Sequence, residues 1–158
     1  MEGVLSVKKV ITPVDFSKNA DFIARSAIYI AGAFKASLSF VFVVQNFEDY
    51  SGFFVPEMNM PNLERELHVG AEKKMESFCK GYEKFCKEAG ITEFQHTVLV
   101  GDVAEQITDF ALEEKGDLIV MGTHGYKGLE KVMFGSVADK VVKSAPCPVT
   151  TINPYTCC

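Results

Sequence analysis

Gly122, Gly125, Gly128 and Gly135 crowd one stretch of the sequence, and Ser136-Val137 follows the last of them at once. Glycines let backbone N–H groups approach an anion closely, and a serine at a helix start adds a hydroxyl to the N–H groups that a first turn leaves without intrahelical partners. That is the chemistry of phosphate binding. Turn geometry alone would call for the same glycines, so the spacing leaves both readings open. A second segment, Pro13-Val14-Asp15-Phe16-Ser17, sets a carboxylate where it can accept from a ribose or an adenine. An Asp in that setting also serves as a plain turn or cap carboxylate ahead of a helix. No GxxxxGK[ST] occurs in the chain and no GxGxxG follows the first strand, so neither P-loop nor dinucleotide-binding machinery is indicated. His124 lies inside the glycine stretch with the intrinsic pKa of a general base, yet no partner carboxylate stands at a recognisable spacing. Lys127 and Lys131 read either as offsets to phosphate charge or as ordinary solvated lysines.

The remaining chemistry-bearing residues point elsewhere. Five cysteines (Cys79, Cys86, Cys147, Cys157 and Cys158) make an odd number without a CxxC, which disfavours a disulfide scaffold or a metal site. Cys79 and Cys86 stand seven apart and are expected as buried filler on one helix face. Cys157-Cys158 is expected to be a reduced, frayed tail, and the position of Tyr155 rules out a prenylation signal. A net charge of −5 and a pI near 5.2 argue against a broad nucleic-acid surface, which needs clustered Lys and Arg. The chain has neither a signal-peptide pattern at Met1 to Lys9 nor an apolar run that could span a bilayer, so a cytoplasmic protein is expected.

Elements that would position these residues alternate along the chain. Val7 to Val14 reads as a strand, and Ser17 as the N-cap of a helix over Lys18 to Phe34. Ser37 to Gln45 is apolar at consecutive positions, the pattern of a strand covered on both faces. A long loop, Asn46 to Pro61, carries Phe47, Tyr50, Phe53, Phe54, Met58 and Met60, and either caps the core or folds over a ligand. From Asn62 to Ala89, apolar residues at Leu67, Ala71, Met75, Phe78, Tyr82, Phe85 and Ala89 predict one amphipathic helix packed on the sheet. Then come a strand at Phe94 to Val100, a helix from about Asp102 to Glu114, a strand at Asp117 to Met121, a helix at Ser136 to Ser144 and a strand at Val149 to Ile152. This order predicts an α/β fold with an open, doubly wound five-stranded parallel sheet and helices on both faces, Rossmann-like. In such a sheet ligands bind beyond the strand ends where the order reverses, and the two candidate loops become neighbours if the first and fourth strands lie side by side. At 158 residues one domain covering 1–158 is expected.

Gly122, Gly125, Gly135 and Ser136 match G-x2-G-x9-G-[ST], and with Pro13 to Ser17, Val41 to Val44, Val100-Gly101-Asp102, Met121 to Gly125 and Ala145 to Val149 the whole chain resembles the ATP-binding branch of the universal stress protein family. The resemblance implies a nucleotide-dependent switch or interaction module in stress response. Asp15 and Val43 would face the ribose and adenine, with Pro13, Val14 and Met121 beside them. Gly122, Gly125, Gly135, Ser136 and Val137 would line the ribose and phosphates. Magnesium or manganese would ride on the phosphates of ATP, two copies would pair through the strand Val149 to Ile152, and a regulatory partner protein of unknown kind would read the nucleotide state. A slow ATPase or self-phosphorylating protein using the same site, and a non-nucleotide interaction module, are the alternatives. The related folds of electron-transfer flavoproteins and adenine-nucleotide α-hydrolases also hold an adenine nucleotide at such a strand end, but those systems are larger or need an extra pyrophosphate motif such as SGGxDS, which this chain lacks.

Overall fold

The computed structural model describes residues 6–45, 60–123 and 135–155. The elements run β1 (Lys9–Pro13), α1 (Ala20–Phe34), β2 (Ser37–Val44), α2 (Met60–Lys80), α3 (Glu83–Glu88), β3 (Phe94–Val100), α4 (Val103–Glu113), β4 (Leu118–Gly122), α5 (Ser136–Ser144) and β5 (Val149–Ile152). All strand pairs are parallel, in the order β3-β2-β1-β4-β5. The chain therefore winds outward from β1 in one direction and then from β4 in the other, which is the doubly wound topology.

Strand side chains alternate between two cores because successive Cβ atoms point to opposite faces. Val10, Leu38, Phe40, Leu118 and Val120 face α1, α2 and α3. Ile11, Val41, Val43, Ile119 and Met121 face α4 and α5. Both faces being covered explains the nearly unbroken apolar runs in β2 and β4.

Several boundaries differ from the sequence expectation. Ser17 does not cap α1: the helix starts at Ala20, and its N-cap, Asn19, makes no side-chain cap bond. Ser17 instead closes a turn, its hydroxyl accepting from the Asn19 amide at 3.3 Å and its carbonyl from Ala20 at 3.0 Å. The cause is Phe16, whose φ of 57° bends the chain one turn before helical geometry begins. The helix expected over Asn62 to Ala89 is two helices, α2 and α3, broken at Gly81-Tyr82, where amides bond three residues back (Gly81 to Phe78, Tyr82 to Cys79). A glycine favours such a break, and it turns Tyr82 inward so that its hydroxyl reaches Asp21 at 2.6 Å. The buried stripe consequently runs Ala71, Met75, Cys79, Tyr82 and Cys86, while Leu67 and Phe85 are 38% and 42% exposed. Cys79 and Cys86 are the buried filler expected of them, and the stripe does pack on the sheet, in the cluster with Phe40 and Val98. Met60 and Pro61, assigned to the preceding loop, open α2; residues 46–59 of that loop lie outside the described residues. Asp117 precedes β4, its carboxylate accepting the amides of Lys8 and Lys9 at 2.9 and 3.0 Å.

Candidate functional site

The ladder between β1 and β4 pairs Val10 with Leu118 and Ile11 with Ile119, although β1 continues to Pro13 and β4 to Gly122. Beyond Ile11 each strand end is bonded outward. The Val14 amide donates to Val41 O of β2, and the Thr123 amide to Ile152 O of β5, both at 2.9 Å. The carboxyl ends of β1 and β4 thus part at the point where strand order reverses, the place where open α/β sheets leave a crevice.

Asp15 stands on the β1 side, half-buried. Its Oδ1 accepts the Ser17 amide at 3.0 Å, an Asx turn, and among the described residues its other oxygen carries no hydrogen bond. The turn role weighed for this residue is therefore present, and it leaves half of the carboxylate available to a donor.

On the β4 side, Gly122 ends the strand, and the Gly135 amide donates to the Thr123 carbonyl at 2.7 Å. That bond ties the exit of the glycine stretch to its entry. Gly135 is the N-cap of α5, extended at φ −63° and ψ 152°, with no side-chain cap bond. Asp139 is the first amide to bond back, to Gly135 O at 3.0 Å, so the amides ahead of it have no intrahelical acceptor. With Ser136 exposed, this end of α5 offers N–H groups, a hydroxyl and the positive end of a helix dipole.

Val43 and Met121 share the α4/α5 face, with Val137 and Ala138 of α5 in the same cluster. Val14 packs into the opposite core, so its side chain and those of Val43 and Met121 lie on different faces of the sheet. Pro13 is half-buried at the strand end. Gly125, His124, Lys127 and Lys131 lie outside the described residues, as do Cys157 and Cys158. Lys143, at the end of α5, bonds Asp139 at 2.8 Å, and Lys140 stands 3.9 Å from the Asp102 carboxylate; both have partners on the protein.

Two residues here were not singled out from sequence. Thr123 is buried and holds both β5 and the close of the glycine stretch through its backbone; its place directly after Gly122 was the available signal. Phe16 adopts a left-handed backbone rare for a residue with a Cβ, and an Asp two residues before a Ser was the only local hint.

No group of three or more His, Cys, Asp or Glu able to hold a metal ion occurs among the described residues, and no helix there is long and apolar enough to cross a membrane.

Comparison with known proteins gives a consistent result. The profile of the universal stress protein family matches residues 6–153. A universal stress protein of Methanocaldococcus jannaschii is 36% identical over 147 residues, covering 92% of this chain and 82% of the relative. The structure of UspA, a universal stress protein from Lactobacillus plantarum, superposes with a TM-score of 0.78 at 26% identity, covering 94% of this chain and 99% of that one. A universal stress protein from Archaeoglobus fulgidus, solved in complex with dAMP, shares the fold with a TM-score of 0.55 at 22% identity, covering 95% of this chain and all (100%) of the other.

Proposed function

The chain belongs to the universal stress protein family, and from that premise we propose that it is a single-domain, cytoplasmic regulatory protein of the stress response that binds ATP in the crevice between β1 and β4. The observation that carries this reading is the outward bonding of both strand ends; Asp15, which follows β1, and the uncapped start of α5, which follows β4, would then face one ligand. A carboxylate oxygen suits ribose or adenine donors, and free amides at a helix start suit phosphate. A universal stress protein solved in complex with dAMP is in keeping with an adenine nucleotide here.

Asp15 and the backbone at Pro13, Val14 and Val43 would take the nucleoside end, with Met121 at its apolar edge. Gly122, Gly125, Gly135, Ser136 and Val137 would hold the ribose and phosphates. The described residues offer good phosphate donors and no carboxylate cage, so magnesium or manganese would be held through the phosphates and water. The protein's output would be a nucleotide-dependent affinity for a partner protein, because a ligand shifts an equilibrium only by binding two states unequally. β5 is an edge strand, and an antiparallel pairing of two such edges would make a homodimer with a two-fold axis.

Isothermal titration of ATP and magnesium into the nucleotide-free protein tests the reading, beside a Gly122→Val/Gly135→Val variant shown to be folded by circular dichroism. Saturable binding to the parent and its loss in the variant are expected. A folded parent that takes up no ATP would leave an interaction module without nucleotide as the better account.

A further inference from the structure

Phe16 is the middle residue of the Asx turn that holds Asp15, since the Asp15 carboxylate accepts the Ser17 amide across it. Its φ of 57° is unfavourable for a side chain with a Cβ, so something outside the turn must hold it there. The Phe16 ring lies 4.7 Å from that of Phe42 and edge-on to Phe78 at 5.6 Å. The Lys74 ammonium sits 4.8 Å from its centroid, within cation–π range. Lys74 and Phe78 are four residues apart on α2 and so share one face of that helix. Phe78 is itself wedged between Phe40 at 5.9 Å and Tyr82 at 5.0 Å. The residue whose backbone aims the carboxylate is therefore seated against Phe42 of β2 and against α2, whereas among the described residues Asp15 makes its own bond only within the turn.

We propose that Phe16 is a positioning residue for Asp15 and that α2, through Phe78 and Lys74, sets how firmly the carboxylate is held. Displacing α2 then lowers nucleotide affinity although no group that touches the ligand has been removed. The affinity step rests on the nucleotide reading above; the positioning step stands on the free protein. A ring that merely filled the core would behave differently. Loosening it would lower global stability, without singling out the Ser17 amide and without any dependence on Asp15.

The test uses the full chain with Phe78→Ala and the milder Phe78→Leu, each checked for folding by circular dichroism. Amide hydrogen exchange is compared at Ser17 and at Val14, whose N–H belongs to the strand ladder. In either variant that folds, Ser17 should exchange roughly tenfold faster while Val14 is unchanged, the signature of a local opening. ATP–magnesium should bind about fivefold more weakly, and on an Asp15→Ala background the same substitution should change the Kd by less than about twofold, because the two positions act as one unit. Ser17 exchange that tracks Val14 in both variants overturns the positioning step, whether or not nucleotide binds. An affinity loss that persists undiminished without Asp15 overturns the coupling. A parent that fails to bind ATP removes the affinity step together with the proposed function, and the exchange data then decide the positioning step by themselves.

Discussion

Tyr82→Phe removes one hydroxyl and keeps the ring in its place among Phe40, Phe78 and Phe85. That hydroxyl donates to Asp21 Oδ1 at 2.6 Å, fastening the break between α2 and α3 to the first turn of α1. A hydrogen bond to a charged group contributes about 1.5–3 kcal/mol when it is sheltered. Here the Asp21 side chain is 60% exposed and keeps Arg25 at 2.9 Å, so water and the guanidinium replace part of the loss and about 1 kcal/mol is expected at neutral pH. For a chain of this length that corresponds to a fall in Tm of roughly 2–4 °C. The effect should depend on pH in a defined sense. The Tyr82 hydroxyl first, and then Arg25, hold the Asp21 carboxyl below its ordinary 3.8. A depressed folded-state pKa contributes stability that is present above the unfolded value and lost as pH falls through the folded one. Urea unfolding of parent and variant at pH 7 and at successive points below pH 4 should therefore show a gap that narrows on acidification. A gap of the same size throughout, or none at pH 7, would refute the argument.

On the alkaline side, burial pushes the Cys79 thiol up to about 12 and that of Cys86 to about 11, from 9.0. A raised folded pKa gives stability that is complete below pH 9 and declines as pH climbs toward those values, by up to about 1.4 kcal/mol per pH unit for each thiol. A Cys79→Ala/Cys86→Ala variant should show a shallower loss than the parent in urea titrations from pH 8.5 to 10.5, and parallel curves would contradict the burial argument. Asp102 is the N-cap of α4, with Oδ1 accepting the Glu105 amide at 3.0 Å. Asp102→Ala should lower stability by about 1 kcal/mol and Asp102→Asn by less, since an amide oxygen caps as well; equal losses in thermal melts would point to the charge instead of the cap.

Much of the fold was legible: β2 and β4 are the unbroken apolar runs that a parallel sheet covered on both faces leaves, and β2, β3, α5 and β5 fall within a residue of their expected bounds. The family signature supplied the candidate site, and the strand order makes β1 and β4 neighbours at one switch point. What sequence could not give depends on partners distant along the chain. The break at Gly81-Tyr82 is fastened by a bond to Asp21, 61 residues away, which periodicity cannot see, so the apolar spacing runs straight through it and puts the exposed Leu67 and Phe85 in the buried stripe. Ser17 looks like a helix cap because the one local hint, an Asp two residues before it, does not disclose that Phe16 turns left-handed, a conformation supported by Phe42 and by Phe78 of α2. The face that each strand-end side chain takes follows from the alternation: the one that sends Val10 to the α1/α2 core sends Val14 there too.

The central claim is a place as well as a ligand, and amide chemical-shift mapping of the isotope-labelled protein during a titration with ATP and magnesium tests both at once. Shifts that saturate and concentrate at Val14 and Asp15, at Val43, from Met121 to Thr123 and from Gly135 to Val137 are the predicted result. Saturating shifts confined to the exposed face of α2 or to the β3 edge, or none at millimolar nucleotide, would contradict it.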